Sequence, residues 1–384
     1  MNVLFLTAYP PVLDMHGGGV RMYHNIRILA QKHRVRVISF FEGEEDRERL
    51  KAVGEVCESI TAIRRRPDFK PHWLSILPFL FREFCTPEMY RAVDDAFHLE
   101  HVDVLQCEYL QMAQFRRPGT FSILTAHEAL SRNARDAIST EPDPALKVRA
   151  FYQWMQILRY EVSETRKFNR VVAMTAEDAA YLRSYSRGAD IRAIPIGIDL
   201  EKFQPFTDDA DRPLEVLFVG NFRHDPNAVA VLFLARQVAP LFPKIRFVFP
   251  GYYAPPDLSA GPNVIFPGYI PEIRDAYRRP NTIVMAPLFS GTGQRVKLLE
   301  AFAMGCPVVT TKIGGTGFPI RHGEEAILAK TPAEFCDALR ALAVSPDYRR
   351  RIGECGRRMV VEHFGWERLA EGFLGVVEEA SVSN

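Results

Sequence analysis

The chain lacks three features that would assign it to a broad class at once. Its 384 residues contain no apolar run of the ~18 residues that a membrane-spanning helix needs. Lys and Arg number 48 against 47 Asp and Glu, so the formal charge of +1 gives no field that would attract nucleic acid. The six cysteines include no C-x-x-C pair, which argues against a zinc site or a disulfide framework and favours reduced thiols. Because the N-terminal residues also lack the basic region of a secretory leader, we expect a cytoplasmic enzyme.

Two kinds of site signature are missing as well. Asp103 and Asp136 have no acidic partner at metal-ligand spacing, and no D-x-D pattern stands at the end of an expected strand, so we expect no catalytic metal. The loop after the first apolar run reads T-A-Y-P-P-V-L-D-M-H-G-G-G rather than G-x-G-x-x-G, and its prolines disfavour a tight dinucleotide-binding turn. These absences disfavour a nicotinamide-dependent oxidoreductase, and no cofactor is predicted.

What the chain does have is a repeated alternation of short apolar runs with helical patterns. The first half opens with an apolar run at 2–8, a helical pattern from about Val20 to Lys32 and a second run at 35–40. The second half restarts the pattern at 214–220. Such alternation predicts an α/β fold of doubly wound parallel sheets. Further short strands are predicted near 57–63, 102–106, 121–126, 171–174, 191–195, 245–250 and 281–287.

The restart of the pattern predicts two domains. Residues 1–200 form the first and 214–363 the second, and the polar, proline-bounded segment 201–213 is the expected linker. Segment 364–380 is an amphipathic helix that either packs back on the first domain or caps the second. Two such domains would leave a cleft at the carboxyl ends of their strands, where ligands bind in this class of fold.

The run from Pro287 to Thr310 carries the strongest functional signal. It reads as strand end, Gly-rich loop, amphipathic helix, Gly turn and new strand. Gly291 and Gly293 flank Thr292, which lets the backbone approach a ligand closely. We therefore expect this loop to contact a substrate.

Arg295, Lys297 and Glu300 follow this loop at helical spacing. A helix N-terminus and two cations favour an anion such as a diphosphate, and the carboxylate further along suits a pair of hydroxyls such as those of a ribose. The pattern predicts a nucleotide-diphosphate site at the carboxyl edge of the sheet. The competing interpretation is an ordinary βα loop whose first-turn cations are solvated.

Five short motifs occur in a fixed order along the chain: G-G-G-V-R at 17–21, I-P-I-G-I-D-L-E-K-F-Q-P at 194–205, V-G-N-F-R-H-D-P-N at 219–227, F-P-G-Y-I-P-E-I at 266–273 and P-L-F-S-G-T-G-Q-R-V-K-L-L-E-A at 287–301. In this order they resemble the motifs of glycosyltransferase family 4, a retaining class with the GT-B fold. The resemblance implies two doubly wound, Rossmann-like domains facing a cleft, the first binding an acceptor and the second a nucleotide sugar. It implies transfer of a sugar from a nucleotide-diphosphate donor to an acceptor hydroxyl with retention of configuration.

The resemblance assigns most donor contacts to the second domain. Arg295 and Lys297 would hold the diphosphate in a catalytic role, and Glu300 would bind the ribose hydroxyls. Tyr269 and Ile270 would lie against the nucleobase. The other donor-binding positions that it implies are Gly18, Gly19, Gly220, Asn221, Arg223, Gly291, Thr292 and Gly293.

The first domain supplies the remaining candidates. His127 follows a predicted strand and matches a histidine that reaches the donor sugar in relatives, so the resemblance implies a catalytic role for it. The predicted acceptor contacts are Arg21, which opens a helix at the cleft, and Glu128 and Arg132 in the loop after His127. The competing interpretations are a hydrogen-bonded core histidine and solvated loop charges.

Three positions depart from the family pattern. Thr292 stands where the family has the first of two glutamates, His224 beside Arg223 replaces part of a basic pair, and Ile196 replaces an asparagine. The sugar, nucleotide and acceptor therefore cannot be carried over. The G-T-G-x-R-x-K loop resembles a subgroup of bacterial enzymes that build surface polysaccharides or specialised glycosides.

Two other functions on the same fold stay open. A sugar-nucleotide epimerase would need acid and base carboxylates and no acceptor, and an inactive nucleotide-sugar-binding subunit is motivated by Thr292. The partners expected of a transferase are a nucleotide sugar and a carbohydrate, lipid-linked or small-molecule acceptor, and not nucleic acid.

Residues 64–84 combine cations with large apolar side chains. Arg64, Arg65, Arg66 and Lys70 precede a Leu-, Ile- and Phe-rich cluster that begins at Trp73. One interpretation is a helix packed on the core of the first domain. The other is peripheral contact with the inner face of a membrane or with a lipid-linked acceptor.

Overall fold

The structure, a computed structural model, describes residues 1–13, 17–66, 77–205, 213–255, 261–277 and 281–383. By their internal contacts the residues divide into two units, Met1–Ile196 with Glu367–Asn384, and Gly197–Trp366. Of the two placements considered for the C-terminal helix, the residues from Glu367 onward group with the first unit.

Seven strands form the sheet of the first unit: β1 (Asn2–Thr7), β2 (Arg34–Phe41), β3 (Ser59–Arg64), β4 (Val104–Glu108), β5 (Phe121–Ala126), β6 (Arg170–Ala173) and β7 (Ile191–Ala193). They pair in parallel in the order β3-β2-β1-β4-β5-β6-β7. The central strands are mostly apolar and are buried on both faces, as expected where helices cover both sides of a parallel sheet. The strand order reverses between β1 and β4, which is where doubly wound sheets bind ligands at their carboxyl edge.

The helices of the first unit are α1 (Gly17–Leu29), α2 (Glu44–Gly54), α3 (Pro87–Leu99), α4 (Leu130–Thr140), α5 (Pro144–Thr165) and α6 (Ala176–Tyr185), with 3₁₀ helices at Phe79–Phe84 and Leu110–Phe115. Helix α1 begins at Gly17, so the predicted start at Val20 was wrong. Glycine is a poor helix former, but a Cβ at Gly18 would overlap the Tyr109 hydroxyl. Close packing at this turn therefore outweighs the propensity on which the prediction rested.

The strands of the second unit are β8 (Glu215–Leu217), β9 (Gly220–Asn221), β10 (Arg246–Val248), β11 (Gly251–Tyr252), β12 (Val264–Ile265), β13 (Thr282–Ala286), β14 (Val308–Thr310) and β15 (Ile327–Leu328). Six of them form a parallel sheet in the order β12-β10-β8-β13-β14-β15, and β9 pairs separately with β11. The order reverses between β8 and β13, so the loops after these two strands meet at the switch point. The predicted α/β class with two doubly wound parallel sheets is confirmed.

The helices of the second unit are α7 (Asp225–Phe233), α8 (Arg274–Tyr277), α9 (Val296–Ala303), α10 (Pro332–Val344) and α11 (Pro346–His363), with a π-helical turn at Leu234–Val238 and a 3₁₀ turn at Ala239–Leu241. Two C-terminal helices follow, α12 (Trp366–Glu378) and α13 (Ala380–Ser383). The run 214–220, predicted as one strand, is broken after Leu217. Gly251, at φ +146°, lies so close to the Gly220 carbonyl that no side chain would fit, and this pairing draws the chain away from the main sheet.

Within the described part of segment 64–84, large apolar side chains belong to the core of the first unit, whereas Arg64 and Arg66 are exposed. Phe81 and Phe84 are fully buried there, and Arg65 pairs with Glu42 and Glu83. Residues 67–76, which include Trp73, lie outside the described residues, so membrane contact through them stays a hypothesis. Within the described ranges, each helix is too short or too polar to cross a bilayer.

Glu379 ties the C-terminal helices to the edge of the first sheet. Its carboxylate accepts a hydrogen bond from Arg170 at 2.6 Å and from Arg192 at 2.5 Å. The bonds to Arg192 and then Arg170 lower the pKa of Glu379, against the opposing effect of burial. Both arginines belong to strands at the β6–β7 edge, so the pairs fix the chain end to the sheet.

We predict that Glu379→Gln destabilises the protein by about 1 kcal/mol at pH 7, the usual scale of a small ion-pair network. Because the folded-state pKa is depressed, the contribution is present above the unfolded pKa of about 4.3 and is lost as the pH falls through the folded value. Thermal unfolding at pH 7 and at pH 3 measures this loss of stability. Glu378→Gln is the control, because the Glu378 carboxylate makes only a long contact with Lys32, at 3.9 Å. Equal changes in melting temperature in Glu379→Gln and Glu378→Gln would contradict the stabilising role of Glu379.

Candidate functional site

The loop between β13 and α9 is shaped by two glycines. Gly291 and Gly293 have φ values of +97° and +76°, which side-chain-bearing residues rarely adopt. A Cβ at Gly291 would lie 2.8 Å from Nη2 of Arg295. The glycines therefore let the loop turn tightly against the Arg295 guanidinium.

Arg295 braces this loop from the start of α9. Its Nη1 donates to the Thr292 carbonyl at 2.6 Å and its Nη2 to the Ser290 carbonyl at 3.2 Å. Its own carbonyl accepts the amides of Leu298 and Leu299, so Arg295 precedes the first helical residue, Val296. The cation is thus held beside the helix N-terminus, as the sequence pattern predicts.

Lys297 is a cation of the second unit whose pKa is strongly shifted. Its Nζ donates to Oδ1 of Asn227 at 2.7 Å and lies 4.3 Å from the centre of the Phe218 ring. Burial, followed by the charge of Arg295, lowers the pKa of Lys297 to about 7, although Glu300 acts in the opposite direction. The ammonium is therefore poorly compensated and would gain from a nearby anion.

The segment after β8 contacts the Lys297 ammonium. A Cβ at Gly220 would lie 3.1 Å from Nζ of Lys297, and Nδ2 of Asn227 donates to the Asn221 carbonyl at 2.9 Å. His224 belongs to the same loop, and partial burial, then Lys297 and Arg295, lower its pKa. The two loops of the switch point thus bring three basic side chains together.

Glu300 lies further along α9. One of its carboxylate oxygens is 3.1 Å from the hydroxyl of Tyr277, which is also 3.1 Å from the Lys297 carbonyl. Burial raises the pKa of Glu300 to about 7, against the effects of Tyr277 and Lys297. Both oxygens are acceptors when the group is ionised, which suits two hydroxyl groups.

A group of aromatic side chains lies in the segments that follow β10 and β12. Tyr269 stacks on Tyr252, with ring centres 4.7 Å apart, and the two rings are about half exposed. The Arg223 guanidinium lies 3.5 Å from the ring centre of Tyr253, a cation–π contact. Ile270 is half-buried beside Tyr269. The predicted nucleobase contacts therefore belong to an exposed aromatic surface.

In the first unit, His127 and the start of α1 lie together. A Cβ at Gly18 would lie 3.1 Å from Nδ1 of His127, and the His127 ring stacks on Tyr109 at 3.8 Å. Nε2 of His127 lies 2.7 Å from the carboxylate of Glu108, at the end of β4. Burial lowers the pKa of His127, and Glu108 opposes this shift.

Arg21 is buried rather than presented to solvent. Its Nη1 donates to the carbonyls of Ile194 and Pro195 at 2.8 and 2.7 Å. Burial lowers the pKa of Arg21 to about 10, partly offset by Glu108. An added Cβ at Gly19 would lie 2.7 Å from the Val12 carbonyl oxygen, which is closer than van der Waals contact allows.

Glu128 and Arg132 are engaged in local pairs. The Glu128 carboxylate accepts from Nδ2 of Asn133 at 2.6 Å, and Arg132 lies 3.4 Å from the buried carboxylate of Asp178. Their acceptor contacts, like that of Arg21, stay predictions. The described residues hold no group of three His, Cys, Asp or Glu side chains placed to bind a metal ion.

Four side chains of these clusters were missed by sequence reasoning. Asn227 was within a quoted motif but had no assigned role, and Tyr277 gave no local signal. Glu108 and Tyr109 were missed because the strand predicted at 102–106 in fact extends to Glu108. Placing that strand's end correctly would have marked both as residues at a carboxyl edge.

Each half of the chain matches a protein-family model. Residues 15–202 match the family model described as Glycosyltransferase Family 4, and residues 213–344 match the one described as Glycosyl transferases group 1. Among curated proteins, D-inositol 3-phosphate glycosyltransferase of Geodermatophilus obscurus is 26% identical over 292 residues, covering 67% of this chain and 61% of that protein. The chain thus spans about three-fifths of the length of this relative.

Two solved structures share the fold over their whole length. Sucrose-phosphate synthase from Thermosynechococcus elongatus has a TM-score of 0.77 at 18% identity, with all of both chains covered. HepE of Anabaena, solved with UDP and glucose, has a TM-score of 0.71 at 14% identity over 99% of this chain and 100% of that one. At such identities the likeness shows the fold alone, and it confirms the predicted GT-B class.

The environment of Lys297 predicts that it reacts as a neutral amine near pH 7. Competitive acetylation with acetic anhydride across a pH series, read by peptide mass spectrometry, should give half-maximal reactivity of this lysine at about pH 7. In the denatured protein its titration should return to about 10.4. Arg295→Ala should move the native value upward, because the charge of Arg295 lowers it. Reactivity that appears only near pH 10 in the native protein would refute this environment.

Proposed function

We propose that this chain, which carries a glycosyltransferase family 4 domain followed by a group 1 glycosyl transferase domain, is a retaining glycosyltransferase. It would move a sugar from a nucleoside diphosphate to an acceptor hydroxyl. The observation that carries the proposal is the start of α9, where Arg295 and the poorly compensated Lys297 flank a helix N-terminus. That arrangement suits the diphosphate of a donor.

The rest of the donor would extend along the same edge of the second unit. Glu300 would accept hydrogen bonds from the ribose hydroxyls, and the exposed Tyr269 would contact the nucleobase. The hydroxyl of Thr292 is buried and has no hydrogen-bond partner among the described residues, so it is available to a ligand oxygen. UDP in the structure of HepE supports a nucleoside diphosphate as the ligand class.

The proposed reaction balances without a covalent enzyme intermediate. The acceptor oxygen bonds to the anomeric carbon on the face from which the phosphate oxygen departs, and the departing phosphate takes the acceptor proton. Arg295 and Lys297 would stabilise the charge that develops on the leaving diphosphate. Glu108 and Glu300 are each held by a side-chain partner, His127 and Tyr277, which supports this route over attack by a carboxylate.

The setting of the reaction is part of the same proposal. All six cysteines are free thiols, which supports a reducing compartment such as the cytoplasm. The G-T-G-x-R-x-K loop supports a role in bacterial polysaccharide or glycoside assembly, with a carbohydrate, lipid-linked or small-molecule acceptor. Peripheral membrane contact would depend on residues 67–76, outside the described ranges.

Removing either cation should weaken diphosphate binding. We predict that Arg295→Ala and Lys297→Ala each reduce affinity for UDP, the probe nucleotide, by roughly 10- to 100-fold, the value of a charged hydrogen bond. Isothermal calorimetry measures this after a thermal-shift screen of UDP, ADP and GDP. Lys244→Ala is the matched control, since Lys244 is exposed in the turn before β10, at the opposite edge of the sheet.

The same titrations separate the phosphate from the ribose. Glu300→Gln should weaken nucleoside diphosphate binding more than inorganic pyrophosphate binding, because pyrophosphate has no ribose and loses only the effect of Glu300 on the charge of Lys297. Wild-type affinity for UDP in both Arg295→Ala and Lys297→Ala would show that the loop before α9 does not bind the diphosphate, and it would contradict the proposed function.

Transfer should proceed without a divalent metal. Protein cations already offset the diphosphate charge, so we predict that the rate of sugar transfer is unchanged, within about twofold, in excess EDTA. The measurement is release of nucleoside diphosphate from its sugar in the presence of acceptor. Loss of activity with rescue by Mg²⁺ or Mn²⁺ would show that the reaction uses a metal.

A further inference from the structure

Asn227 contacts the Lys297 ammonium and is not itself a predicted contact of the donor. It lies in the first turn of α7, where its main-chain amide donates to the His224 carbonyl at 2.9 Å. Its side-chain oxygen accepts a hydrogen bond from Nζ of Lys297 at 2.7 Å, although 70 positions separate the two residues in the chain. This bond therefore joins the helix that follows β8 to the helix that follows β13.

The hydrogen bonds of Asn227 fix the orientation of its carboxamide. An ammonium can only donate, so the atom that faces Lys297 must be the side-chain oxygen. On the other side, Nδ2 of Asn227 donates to the main-chain carbonyl of Asn221 at 2.9 Å, and a carbonyl can only accept. Both partners thus require the same one of the two possible amide orientations.

The Asn221 carbonyl is held in place by the short pairing of β9 with β11. Asn221 pairs with Tyr252, and the amide of Phe222 donates to the Tyr252 carbonyl at 3.0 Å. The side-chain oxygen of Asn221 accepts from the Arg223 amide at 3.0 Å, which closes a tight turn. Asn227 therefore has a fixed support, and the ammonium beyond it is tied to β9.

Two further contacts restrict the position of the Lys297 ammonium. It lies 4.3 Å from the centre of the Phe218 ring, and a Cβ at Gly220 would lie 3.1 Å from it. Glycine at 220 leaves the space beside the ammonium open. An ammonium has three N–H donors, and among the described residues Asn227 accepts one of them. The other two can then meet the oxygens of a phosphate.

The acceptor that holds Lys297 carries no net charge. The charged and titratable groups around the ammonium are Arg295 and Glu300, from the segment of Lys297 itself, and His224, directly before α7. A carboxylate at position 227 would pair with the lysine and reduce the net positive charge that a diphosphate meets. A carboxamide orients the ammonium and leaves that charge in place.

We infer that Asn227 is a positioning residue that directs the Lys297 ammonium towards the diphosphate of the donor without neutralising its charge. Asn227 acts through the lysine, so its removal should change the lysine first and diphosphate binding as a consequence. The inference rests on the proposed function for the identity of the ligand, whereas the effect of Asn227 on the lysine is independent of it.

The first test follows the titration of Lys297 in the free protein. Competitive acetylation across a pH series gives its apparent pKa in the wild type, in Asn227→Leu and in Asn227→Asp, whose side chains branch at the same atom. Leucine offers no acceptor and excludes water, so it should lower the pKa of the lysine, whereas aspartate should raise it. The same lysine pKa in all three proteins would overturn the inference.

Asn263→Leu is the matched control for this titration. Asn263 directly precedes β12, at the amino edge of the same sheet, and its Nδ2 donates to three main-chain carbonyls, those of Ala239, Phe242 and Ile245. Its loss should lower the melting temperature and leave the pKa of Lys297 unchanged. An equal shift of the lysine pKa in Asn263→Leu and Asn227→Leu would reduce Asn227 to a structural role.

The second test measures binding of UDP and of inorganic pyrophosphate by calorimetry at pH 6 and pH 8. A fall of about one unit in the lysine pKa reduces its protonated fraction roughly tenfold at pH 8 and much less at pH 6, where most of the lysine stays charged. Asn227→Leu should therefore lose roughly tenfold in affinity at pH 8, relative to the wild type at the same pH, and less at pH 6. Wild-type affinity at both pH values, or an equal loss at both, would contradict the inference.

Asn227→Asp separates orientation from charge. It should weaken both ligands although it keeps the lysine protonated, because the added carboxylate repels the phosphates. Tighter binding in Asn227→Asp would contradict the inference, since it would show that only the protonation of the lysine matters.

The outcomes distinguish this inference from the proposed function. If neither UDP nor pyrophosphate binds to the wild type, the proposed diphosphate site fails and the inference fails with it. If both ligands bind and the titration of Lys297 does not depend on residue 227, the inference fails alone.

Discussion

Charged side chains withdrawn from water at the carboxyl edges of the two sheets are the constraint on which both candidate sites depend. A buried charge is tolerated only with partners, and the chain supplies them sparingly. Among the described residues, the Lys297 ammonium donates one hydrogen bond, to Asn227, and lies over the Phe218 ring. Glu300 has the hydroxyl of Tyr277. Burial with incomplete compensation shifts the pKa values of Lys297 and Glu300 towards neutrality, and groups perturbed in this way are candidates for a ligand-binding site.

The sheets explain why such groups occur where they do. Polar side chains within strands buried on both faces need partners inside the fold, whereas those at the carboxyl ends can meet a ligand, and a switch in strand order separates the loops that follow two neighbouring strands. In the second unit these are the segments after β8 and β13, where Asn227 lies in the first turn of α7 and Arg295 directly precedes α9. In the first unit, Glu108 ends β4 and Gly18 lies in the first turn of α1, the helix that follows β1. Glycine recurs at these positions because a neighbouring backbone or side-chain group occupies the space that a Cβ atom would need.

Much of this arrangement could be predicted from local pattern. Apolar runs predicted the parallel strands, and the Gly-rich loop predicted that Arg295 and Lys297 would stand at a helix start. The contacts that tune the site could not be predicted in the same way. Asn227 meets Lys297 across 70 residues, and Tyr277 meets Glu300 from a separate short helix, so neither pairing leaves a periodic signal. The predicted start of α1 was wrong because helix propensity depends on local sequence alone, whereas the space beside Tyr109 is set by tertiary packing.

The two perturbed groups of the second unit complement each other as a donor binds in the proposed way. A diphosphate beside Lys297 favours the ammonium and raises its pKa, so the lysine takes up a proton. Hydrogen bonds from ribose hydroxyls to the carboxylate favour its ionised form and lower the pKa of Glu300, so the glutamate releases one. Uptake by the lysine and release by the glutamate have opposite signs, so they offset one another. A site that holds one cation and one anion with pKa values shifted in opposite directions can therefore become fully charged around its ligand with a reduced net exchange of protons with the solvent.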